Sequence, residues 1–339
     1  MTTALDLFRG AGGWSVACQR LGIKDVGVEI MREANLTAHA AGHEFGWEDV
    51  WKPRALTGFD GVIASPPCQT FSQAGKGAGR KALDAVLTLL PDVKHMNLLD
   101  LQGAARVFGD DRTALVLSPL HYAHTMQPEW IALEQVPTVL PVWEACAEDL
   151  RGAGYSVWTG NLQAEMYGVP QTRKRAFLLA SRVKDVAPPK PTHSRYYART
   201  PERLDEGVKK WVSMAEALGW GLQERPSPTV TGGGTETGGA EPNAKLNERW
   251  TNRPDWAWRR PSTTIVGTFK PEVVAAPGYR TTVSRQNAPD SVRVTVQEAG
   301  VLQSFPANYP WQGAKGKQFL QCGNAVPPLL AEAVLSAVM

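Results

Sequence analysis

The sequence predicts an α/β protein whose main domain holds a mostly parallel sheet, with a smaller and irregular second region. Two observations predict this fold class. Short apolar runs alternate with helical patterns through the first half of the chain, and a glycine-rich turn directly follows the first apolar run. Such alternation is typical of a sheet with helices on its faces. A change of composition after residue 184 predicts the second region.

The elements of the main domain are predicted from strand-sized apolar runs and from helical spacing between them. The expected strands lie at 3–8, 25–30, 48–50, 59–65, 130–136, 155–162 and 173–181. The expected helices lie near 12–21, 32–41 and 113–126. We expect the last two strands to close the sheet as an antiparallel pair.

Composition excludes several classes of protein. The 339 residues carry a net charge of +3, and 43% of them are hydrophobic, which is typical of a globular protein and excludes global disorder. No apolar run approaches the roughly 18 residues of a membrane span, and the first residues lack a signal pattern. Cys18, Cys68, Cys146 and Cys322 are far apart, so neither a zinc site nor a disulfide framework is predicted. We expect a soluble, cytoplasmic protein.

Domain boundaries follow from composition. Residues 185–289 are rich in Pro, Gly, Thr and Arg and hold five of the 12 tryptophans, most of which we expect in the core. We therefore predict a main domain over 1–184, a second domain over 185–289 and a segment over 290–339 with regular structure, including a terminal helix. Two similar segments, 225–234 and 260–269, indicate two hairpins more readily than a true duplication.

The turn after the first strand contains Gly10, Gly12 and Gly13. Glycines between a strand and a helix let a ligand approach the backbone and the free N–H groups of the helix start. Glu29 ends the second strand 19 residues after Gly10, where α/β folds bind ribose hydroxyls, and Asp49 ends the third predicted strand. Each acid alone could be a solvated strand end. Together they predict a cofactor that contains adenosine.

Cys68 follows two prolines at the carboxyl end of the fourth strand. Open α/β sheets carry their sites at this edge, so we predict a nucleophile, although an inert buried cysteine is the commoner case. A nucleophilic thiolate needs a helix terminus or a cation nearby.

Six motifs in order resemble those of the DNA cytosine-5 methyltransferase family. They are LDLFRGAGG (5–13), SPPCQTFSQAG (65–75), ALEQVP (132–137), GVPQTRKR (168–175), VQEAGVLQSFP (296–306) and QCGNAVPP (321–328). The resemblance covers about 1–184 and 291–339. It implies a Rossmann-like, S-adenosylmethionine-dependent catalytic domain, a target recognition domain over 185–289, and a C-terminal segment that returns to the catalytic domain.

The resemblance assigns cofactor roles. It implies that Glu29 binds the ribose hydroxyls, that Asp49 binds the adenine amino group and that Phe8 packs against the adenine. The other residues assigned to the cofactor pocket are Gly10, Gly12, Gly13 and Asn324. For Asn324 a helix N-cap is the plain alternative.

The resemblance also assigns the chemistry. Cys68 would add to C6 of cytosine, which breaks the aromaticity of the ring and lets C5 attack the methyl group. Glu134 would bond to N3, and Arg173 and Arg175 would lie beside the base, where Arg175 stabilises charge at O2. The plain alternatives are a strand-end salt bridge for Glu134 and an exposed edge strand for the arginines. No metal is expected.

The implied partner is double-stranded DNA, whose cytosine must be flipped out of the helix. The expected DNA contacts are Gln69, Gln171, Arg249, Arg259 and Arg260, the three arginines with phosphates. Either Thr229–Val230 or Thr264–Ile265 resembles the threonine–aliphatic pair that many family members place near the target base. A restriction endonuclease could be a further partner, in a bacterium or phage-infected cell, and we expect a monomer.

Three positions depart from the family pattern, one of them Val301, where an arginine is common. Gln135 stands where Asn usually follows the catalytic glutamate, and Arg9 stands where a small residue or Cys is frequent. None removes a catalytic group. Two other functions stay open: a catalytically silent DNA-binding protein, and an RNA cytosine-5 methyltransferase. The RNA branch carries a Cys-Phe-Thr element in its recognition region, whereas this chain has no cysteine between 147 and 321.

Overall fold

The computed structural model describes residues 1–44, 49–52, 58–67, 71, 78–106, 112–197, 203–219, 254–267, 272–275 and 292–339. Within these ranges, no helix has the length and apolar character needed to cross a lipid bilayer.

Strands and helices alternate through the first half of the chain, as predicted. The strands are β1 (Thr3–Leu7), β2 (Lys24–Val28), β3 (Gly61–Ala64), β4 (Trp130–Gln135), β5 (Ser156–Gln163), β6 (Gln171–Thr172), β7 (Lys174–Ser181), β8 (Ser262–Thr263), β9 (Val273–Val274) and β10 (Val292–Arg293). The α-helices are α1 (Gly13–Leu21), α2 (Arg32–Ala40), α3 (Ala78–Leu89), α4 (Leu98–Arg106), α5 (Ser118–Met126), α6 (Leu140–Gly152), α7 (Met214–Ala217), α8 (Trp256–Arg259), α9 (Val296–Leu302), α10 (Lys315–Asn324) and α11 (Pro328–Val338). Short 3-10 helices lie at Leu90–His95, Ala114–Leu117, Pro137–Val139 and Ala164–Tyr167.

One sheet of six strands dominates the described part of the chain, in the order β2-β1-β3-β4-β7-β5. Strand β1 pairs in parallel with β2 and β3, and β3 pairs in parallel with β4. Strand β7 is antiparallel to both β4 and β5. The predicted mostly parallel sheet and its antiparallel pair are confirmed. Because β7 lies between two strands, the alternative that its arginines mark an edge strand is wrong.

The strand predicted at 48–50 is not formed by its two described residues, Asp49 and Val50, which lie in a turn. The carboxylate of Asp49 accepts from the backbone N–H of Trp51 at 3.1 Å, and its carbonyl accepts from Lys52 at 2.8 Å. An aspartate that bonds to its own backbone two residues further on favours a turn over an extended strand.

The terminal helix α11 returns to the sheet. Its buried side chains Leu330, Val334 and Val338 share one apolar cluster with Trp14 of α1 and with Trp130 of β4. The last helix of the chain therefore packs beside the first one, on the same face of the sheet.

The opposite face of the sheet is covered as well. Leu5 of β1 and Leu133 of β4 pack in a second cluster with Trp143 and Leu150 of α6. The molecule therefore has a helical layer on each side of the sheet, which is the layered arrangement that the alternating pattern predicts.

Strand β3 begins at a glycine because its neighbour fills the space above it. Gly61 is paired with Trp130, and a Cβ atom at residue 61 would lie 2.1 Å from the Trp130 ring. The tryptophan ring thus packs directly on the backbone of the adjacent strand.

A third apolar cluster joins the second region to the C-terminal segment. Trp256 and Ile265 pack with Val296 and Leu302 of α9 and with Phe319 of α10. These contacts attach the described part of residues 185–289 to the C-terminal segment.

Three of the five tryptophans of the second region lie within the described residues. Trp211 and Trp256 are buried, in line with the expectation of a core role, whereas Trp258 is 44% exposed. Trp220 and Trp250 lie outside the described residues.

The two similar segments are placed differently. Of segment 260–269 the structure describes residues 260–267, in which strand β8 pairs in parallel with β6. Its partner strand lies 91 residues earlier in the chain, which sequence similarity between the segments does not indicate. Segment 225–234 lies outside the described residues.

Candidate active site

A cavity of about 480 Å³ opens at the carboxyl ends of the parallel strands. Residues from the ends of β1, β2, β3 and β4 meet here, as expected for an open α/β sheet. The predicted site residues that line it are Phe8, Gly10, Gly13, Glu29, Asp49, Glu134, Arg173, Arg175 and Asn324. Residues predicted for cofactor binding and for catalysis therefore line one cavity.

The turn after β1 has an unusual backbone. Phe8 has φ 63°, and Gly10 and Gly12 have φ 60° and 96°. A left-handed conformation is costly for a bulky residue such as phenylalanine, so the surrounding contacts must hold it in place. One of these contacts is the backbone N–H of Arg9, which donates to the Val28 carbonyl at 3.2 Å.

Two of the three glycines approach protein atoms. A Cβ atom at Gly13 would lie 2.2 Å from the carbonyl oxygen of Val326, and one at Gly12 would lie 2.9 Å from the ring of His43. We expected these glycines to admit a ligand, and Gly12 does not line the cavity. Gly13 lines the cavity and also packs against the segment that precedes α11, whereas Gly12 packs against His43, which follows α2.

Two backbone N–H groups orient the carboxylate of Glu29. Its carboxylate accepts from the N–H of Gly10 at 2.8 Å and from the N–H of Met31 at 2.6 Å. Burial raises the pKa of this carboxyl, and the two N–H donors oppose that shift. Because each oxygen keeps a free lone pair, the carboxylate can accept two further hydrogen bonds from a ligand.

Several residues of this end of the cavity were not predicted. Ile30 and Trp51 line it beside Glu29 and Asp49, and Ile30 is 63% exposed. A large aliphatic side chain directly after an acid at a strand end was the available signal. Gln102 of α4 also lines the cavity, but nothing in the sequence places α4 over this edge of the sheet.

Glu134 and Arg175 form an ion pair at the other end of the cavity. Arg175 Nε lies 3.0 Å from Glu134 Oε1, and the Glu134 side chain is 7% exposed. Glu134 lies near the end of β4 and Arg175 near the start of the antiparallel β7, so the two side chains meet at the same edge. The salt bridge foreseen as an alternative for Glu134 is thus formed, inside the cavity.

Gln135 connects β4 to the loop that precedes Cys68. Its Nε2 donates to the Pro66 carbonyl at 2.8 Å, and its Oε1 accepts from the N–H of Val136 at 2.5 Å. The side chain is buried. It fixes the backbone of this loop, although it stands where the family usually has asparagine.

Arg173 is placed differently from Arg175. It is 2% exposed, and its Nη1 and Nη2 donate to the carbonyls of Gly323 and Ala325 at 3.0 and 3.1 Å. We expected it beside the base, but it holds the chain turn at 323–325. Asn324 lies in this turn as the last residue of α10, whereas the N-cap of α11 is Pro327, so the N-cap alternative for Asn324 is wrong.

Gln171 is fully buried. Its Nε2 donates to the Leu302 carbonyl at 2.9 Å and to Gln303 Oε1 at 2.7 Å, and its Oε1 accepts from the N–H of Ile265 at 3.0 Å. We expected a contact with DNA. A buried amide bonded to three protein groups instead joins the main domain, α9 and the second region.

The pair Thr264–Ile265 lies beside Gln171 and its hydrogen bonds. Thr264 Oγ1 donates to the Thr172 carbonyl at 2.7 Å. This pair is therefore next to the strand element that leads to Arg173 and Arg175. Thr229–Val230 lies outside the described residues.

Of the remaining predicted DNA contacts, the two described ones, Arg259 and Arg260, do not line the cavity. Arg259, at the end of α8, is exposed and Arg260 is half-buried. Trp211 Nε1 donates to the Arg259 carbonyl at 2.9 Å, which fixes the backbone at this point. Cys68, Gln69 and Arg249 lie outside the described residues.

The three described cysteines have the properties of unreactive thiols. Cys18, Cys146 and Cys322 are buried, and burial raises the pKa of each thiol well above its ordinary value. A thiol in such a setting stays protonated at neutral pH. Among the described residues, no group of three or more His, Cys, Asp or Glu side chains could hold a metal ion.

Comparisons with known proteins agree on one family. A family model described as C-5 cytosine-specific DNA methylase matches residues 2–96 and 101–339. The Type II methyltransferase M1.HphI of Haemophilus parahaemolyticus is 26% identical over 362 residues, which cover 99% of this chain and 86% of that protein. The Type II methyltransferase M.AplI of Arthrospira platensis is 26% identical over 355 residues, which cover 98% and 84%.

Solved structures show the same fold. The S. pombe Dnmt2 methyltransferase has a TM-score of 0.59 at 16% identity, with 99% of this chain and 98% of that chain covered. The Entamoeba histolytica methyltransferase EhMeth has a TM-score of 0.58 at 13% identity, with 100% and 98% covered. The predicted Rossmann-like fold class is confirmed.

Proposed function

Because this chain belongs to the C-5 cytosine-specific DNA methylase family, we propose that it transfers a methyl group from S-adenosylmethionine to C5 of cytosine in double-stranded DNA. One observation carries the proposal. A single cavity is lined at one end by Phe8, Glu29 and Asp49 and at the other by Glu134 and Arg175. A methyl donor and the base that receives the group must lie within one enclosed space.

The residues of the first end fit an adenosine-containing cofactor. Glu29 offers two carboxylate oxygens that are already oriented by backbone N–H groups. Phe8 and Ile30 supply apolar surface, and Asp49 supplies a carboxylate near it. S-adenosylmethionine supplies an electrophilic methyl group when it is bound. Glu29 would bind the ribose hydroxyls, and Asp49 would bind the adenine amino group.

The residues of the second end fit the activation of a cytosine ring. The Cys68 thiolate would form a bond from Sγ to C6 of the flipped-out base, with Glu134 bonded to N3 and Arg175 beside O2. This addition would make C5 electron-rich, so that C5 would take the methyl group as the bond between that group and the sulfonium sulfur breaks, which leaves S-adenosylhomocysteine. Loss of the proton from C5 and cleavage of the Sγ–C6 bond then restore the aromatic ring and free the thiolate.

The neighbourhood of Cys68 supports its part in this scheme. Gln135 fixes the Pro66 carbonyl two residues before the cysteine. The Arg175 guanidinium lies near the end of the adjacent strand β4, where it pairs with Glu134. A cation near the cysteine loop favours the thiolate form.

The domain division also belongs to this proposal. Residues 1–184 and 290–339 would form the catalytic domain, which agrees with the packing of α11 beside α1. Residues 185–289 would recognise the target, with Arg249, Arg259 and Arg260 at phosphates and Gln69 at the base. Phosphate contacts of this kind make affinity for DNA fall as salt rises.

The relatives suggest a biological setting. Two of them are named Type II methyltransferases. We place this chain, by the same proposal, in the cytoplasm of a bacterium or a phage-infected cell, where a restriction endonuclease of the same target sequence would be its partner.

The test is nucleoside mass spectrometry of DNA from cells that lack cytosine methylation of their own. Wild-type protein should produce 5-methylcytosine and Cys68→Ser should not. Cys146→Ala is the matched control, because that thiol is buried in α6 and does not line the cavity, and it should behave as wild type. Glu134→Gln should bind S-adenosylhomocysteine, the product form of the cofactor, yet give no 5-methylcytosine.

Two outcomes would contradict the proposal. Unmodified DNA, together with wild-type protein that binds S-adenosylhomocysteine, would reject the DNA substrate and favour RNA as the substrate. Methylation by the Cys68→Ser variant would reject the covalent mechanism.

A further inference from the structure

Arg9 is a buried cation in the cofactor turn. It is 3% exposed, and it stands where the family pattern has a small residue or cysteine. Its side chain lies across Gly27 of β2: a Cβ atom there would be 2.2 Å from Arg9 Cδ and 2.4 Å from Nε. The chain therefore combines a large side chain at residue 9 with the absence of one on the neighbouring strand.

The guanidinium of Arg9 donates hydrogen bonds to two acceptors. Nη2 donates to Asn35 Oδ1 at 2.7 Å, and Nη1 donates to the Glu44 carbonyl. Asn35 is fully buried, and its own Nδ2 donates to the Glu29 carbonyl at 2.7 Å. A continuous set of hydrogen bonds thus runs from Arg9 through Asn35 to the backbone of Glu29.

The carboxylate of Glu29 depends on the same turn. One of its oxygens accepts from the N–H of Gly10, which directly follows Arg9 in the chain. The Arg9 side chain therefore reaches Glu29 through Asn35, whereas the N–H of Gly10 belongs to the backbone of the same turn. Loss of the Arg9 side chain would remove the hydrogen bond that orients Asn35.

The positive charge of Arg9 also favours the carboxylate form of Glu29. Burial raises the pKa of the Glu29 carboxyl, and the Arg9 cation is among the groups that oppose this shift. Burial and the nearby Asp25 raise the pKa of the fully buried Asp6, and Arg9 opposes that shift as well. A cation at this depth favours the ionised form of Glu29, which accepts hydrogen bonds on both oxygens.

We propose that Arg9 is a positioning residue of the cofactor site, which acts through Asn35 to hold Glu29 in the orientation that accepts the ribose hydroxyls. The inference rests on the proposed function, because it assigns Glu29 to the ribose. It explains why this chain carries an arginine at residue 9 and why Gly27 faces it.

The test is calorimetric binding of two probes to the purified full-length chain. The first is S-adenosylhomocysteine, and the second is its 2′,3′-dideoxy analogue, which lacks both ribose hydroxyls. Arg9→Met should weaken the first probe roughly ten- to hundred-fold, the loss typical of hydrogen bonds to charged groups. The same variant should weaken the analogue much less, because the analogue makes no bond to Glu29.

Two further variants make the result specific. Asn35→Asp still accepts from Arg9 but cannot donate to the Glu29 carbonyl, so it should show the same selective loss even if Arg9→Met folds poorly. Arg20→Met is the matched control. Arg20 forms a partly exposed ion pair with Glu332 on the outside of α1, and its loss should change neither affinity.

Three results would overturn the inference. Unchanged binding of S-adenosylhomocysteine by folded Arg9→Met and Asn35→Asp would leave Arg9 without a positioning role. Equal weakening of both probes would show a general loss of the pocket. Wild-type protein that binds neither probe would reject the proposed function itself and the inference with it.

Discussion

Replacing Gly267 with alanine should weaken cofactor binding from a position outside the cavity. Gly267 belongs to the second region and does not line the cavity. A Cβ atom there would lie 2.9 Å from both Cα and Cδ1 of Leu320 in α10. In the other direction, a Cβ atom at Gly323 would lie 2.4 Å from the Gly267 nitrogen. Two backbones are therefore in direct contact at this point.

The size of the effect follows from these distances. Ordinary contact begins near 3.4 Å, so a contact at 2.9 Å must lengthen by about 0.5 Å. Overpacking of this kind costs about 1–3 kcal/mol of unfolding free energy. Helix α10, which this overpacking displaces, contributes Gly323 and Asn324 to the cavity wall. Since a shift of about 1 Å in a site can cost a hundred-fold, we expect roughly ten-fold weaker binding of S-adenosylhomocysteine.

The matched control lies on the same helix. A Cβ atom at Gly316 would meet nothing within 4 Å, so Gly316→Ala should leave affinity unchanged. Alanine in a helix should also stabilise it, by at most about 1 kcal/mol. The two substitutions should therefore change the midpoint of urea unfolding in opposite directions. Calorimetric titration with S-adenosylhomocysteine measures the affinity of each variant.

Two results would refute the reasoning. If Gly267→Ala lowers the unfolding midpoint but binds S-adenosylhomocysteine as wild type does, the contact with α10 is purely structural. If it changes neither quantity, the close approach of the two backbones does not constrain the protein.

Three more predictions concern buried polar side chains. Gln135→Asn shortens the side chain that donates to the Pro66 carbonyl. We expect kcat to fall roughly ten-fold with an unchanged KM for S-adenosylmethionine, measured with tritiated cofactor. An unchanged kcat would contradict the role assigned to the amide. Arg173→Met removes two hydrogen bonds from a buried cation to the turn 323–325, so urea unfolding should show a loss of about 3 kcal/mol or more, against little change for Arg20→Met. Burial raises the pKa of Glu165 from 4.5 to about 7, so its contribution to stability is complete below pH 4.5 and is lost as pH rises to about 7. Unfolding free energies at pH 5 and 7.5 should differ less in Glu165→Gln, by about 2 kcal/mol, and equal pH dependence in the two proteins would contradict this.

The parts of the site that the sequence predicts are those fixed by local pattern. Glu29 follows β2 and Glu134 ends β4, and the carboxyl ends of parallel strands meet at one edge whatever the order of the strands. An apolar run that stops at an acid was therefore sufficient to place Glu29, whereas Glu134 was assigned through the resemblance to the family. The glycine turn was placed for the same reason, since it directly follows β1.

The parts that the sequence does not predict depend on distant partners. The sequence alone does not distinguish the roles of three residues at alternate positions, Gln171, Arg173 and Arg175. The structure separates them because Arg175 meets Glu134 through the pairing of β7 with β4. Arg173 instead finds its acceptors 150 and 152 residues further along the chain. Neither the position of β7 inside the sheet nor the return of the C-terminal segment follows from local pattern.

Asp49 shows a different kind of error. It was placed correctly at the cavity but assigned to a strand, and its side chain instead bonds to the backbone of Trp51. A short polar side chain that competes for backbone donors overrides weak strand preference. The chemistry of the residue was thus easier to predict than its conformation.

The glycines explain why the cavity depends on both ends of the chain. Gly13 lets the first helix contact the Val326 carbonyl, and Gly323 lets α10 contact Gly267 of the second region. The same turn, held by Arg173, carries Asn324 into the cavity. Helix α10 therefore touches the proposed recognition region on one side and forms the wall of the proposed cofactor pocket on the other. Because Gly13 meets the backbone of Val326 and Gly323 meets the backbone of Gly267, a displacement of the recognition segment must move the pocket wall with it, and the two binding events should be energetically coupled in both directions.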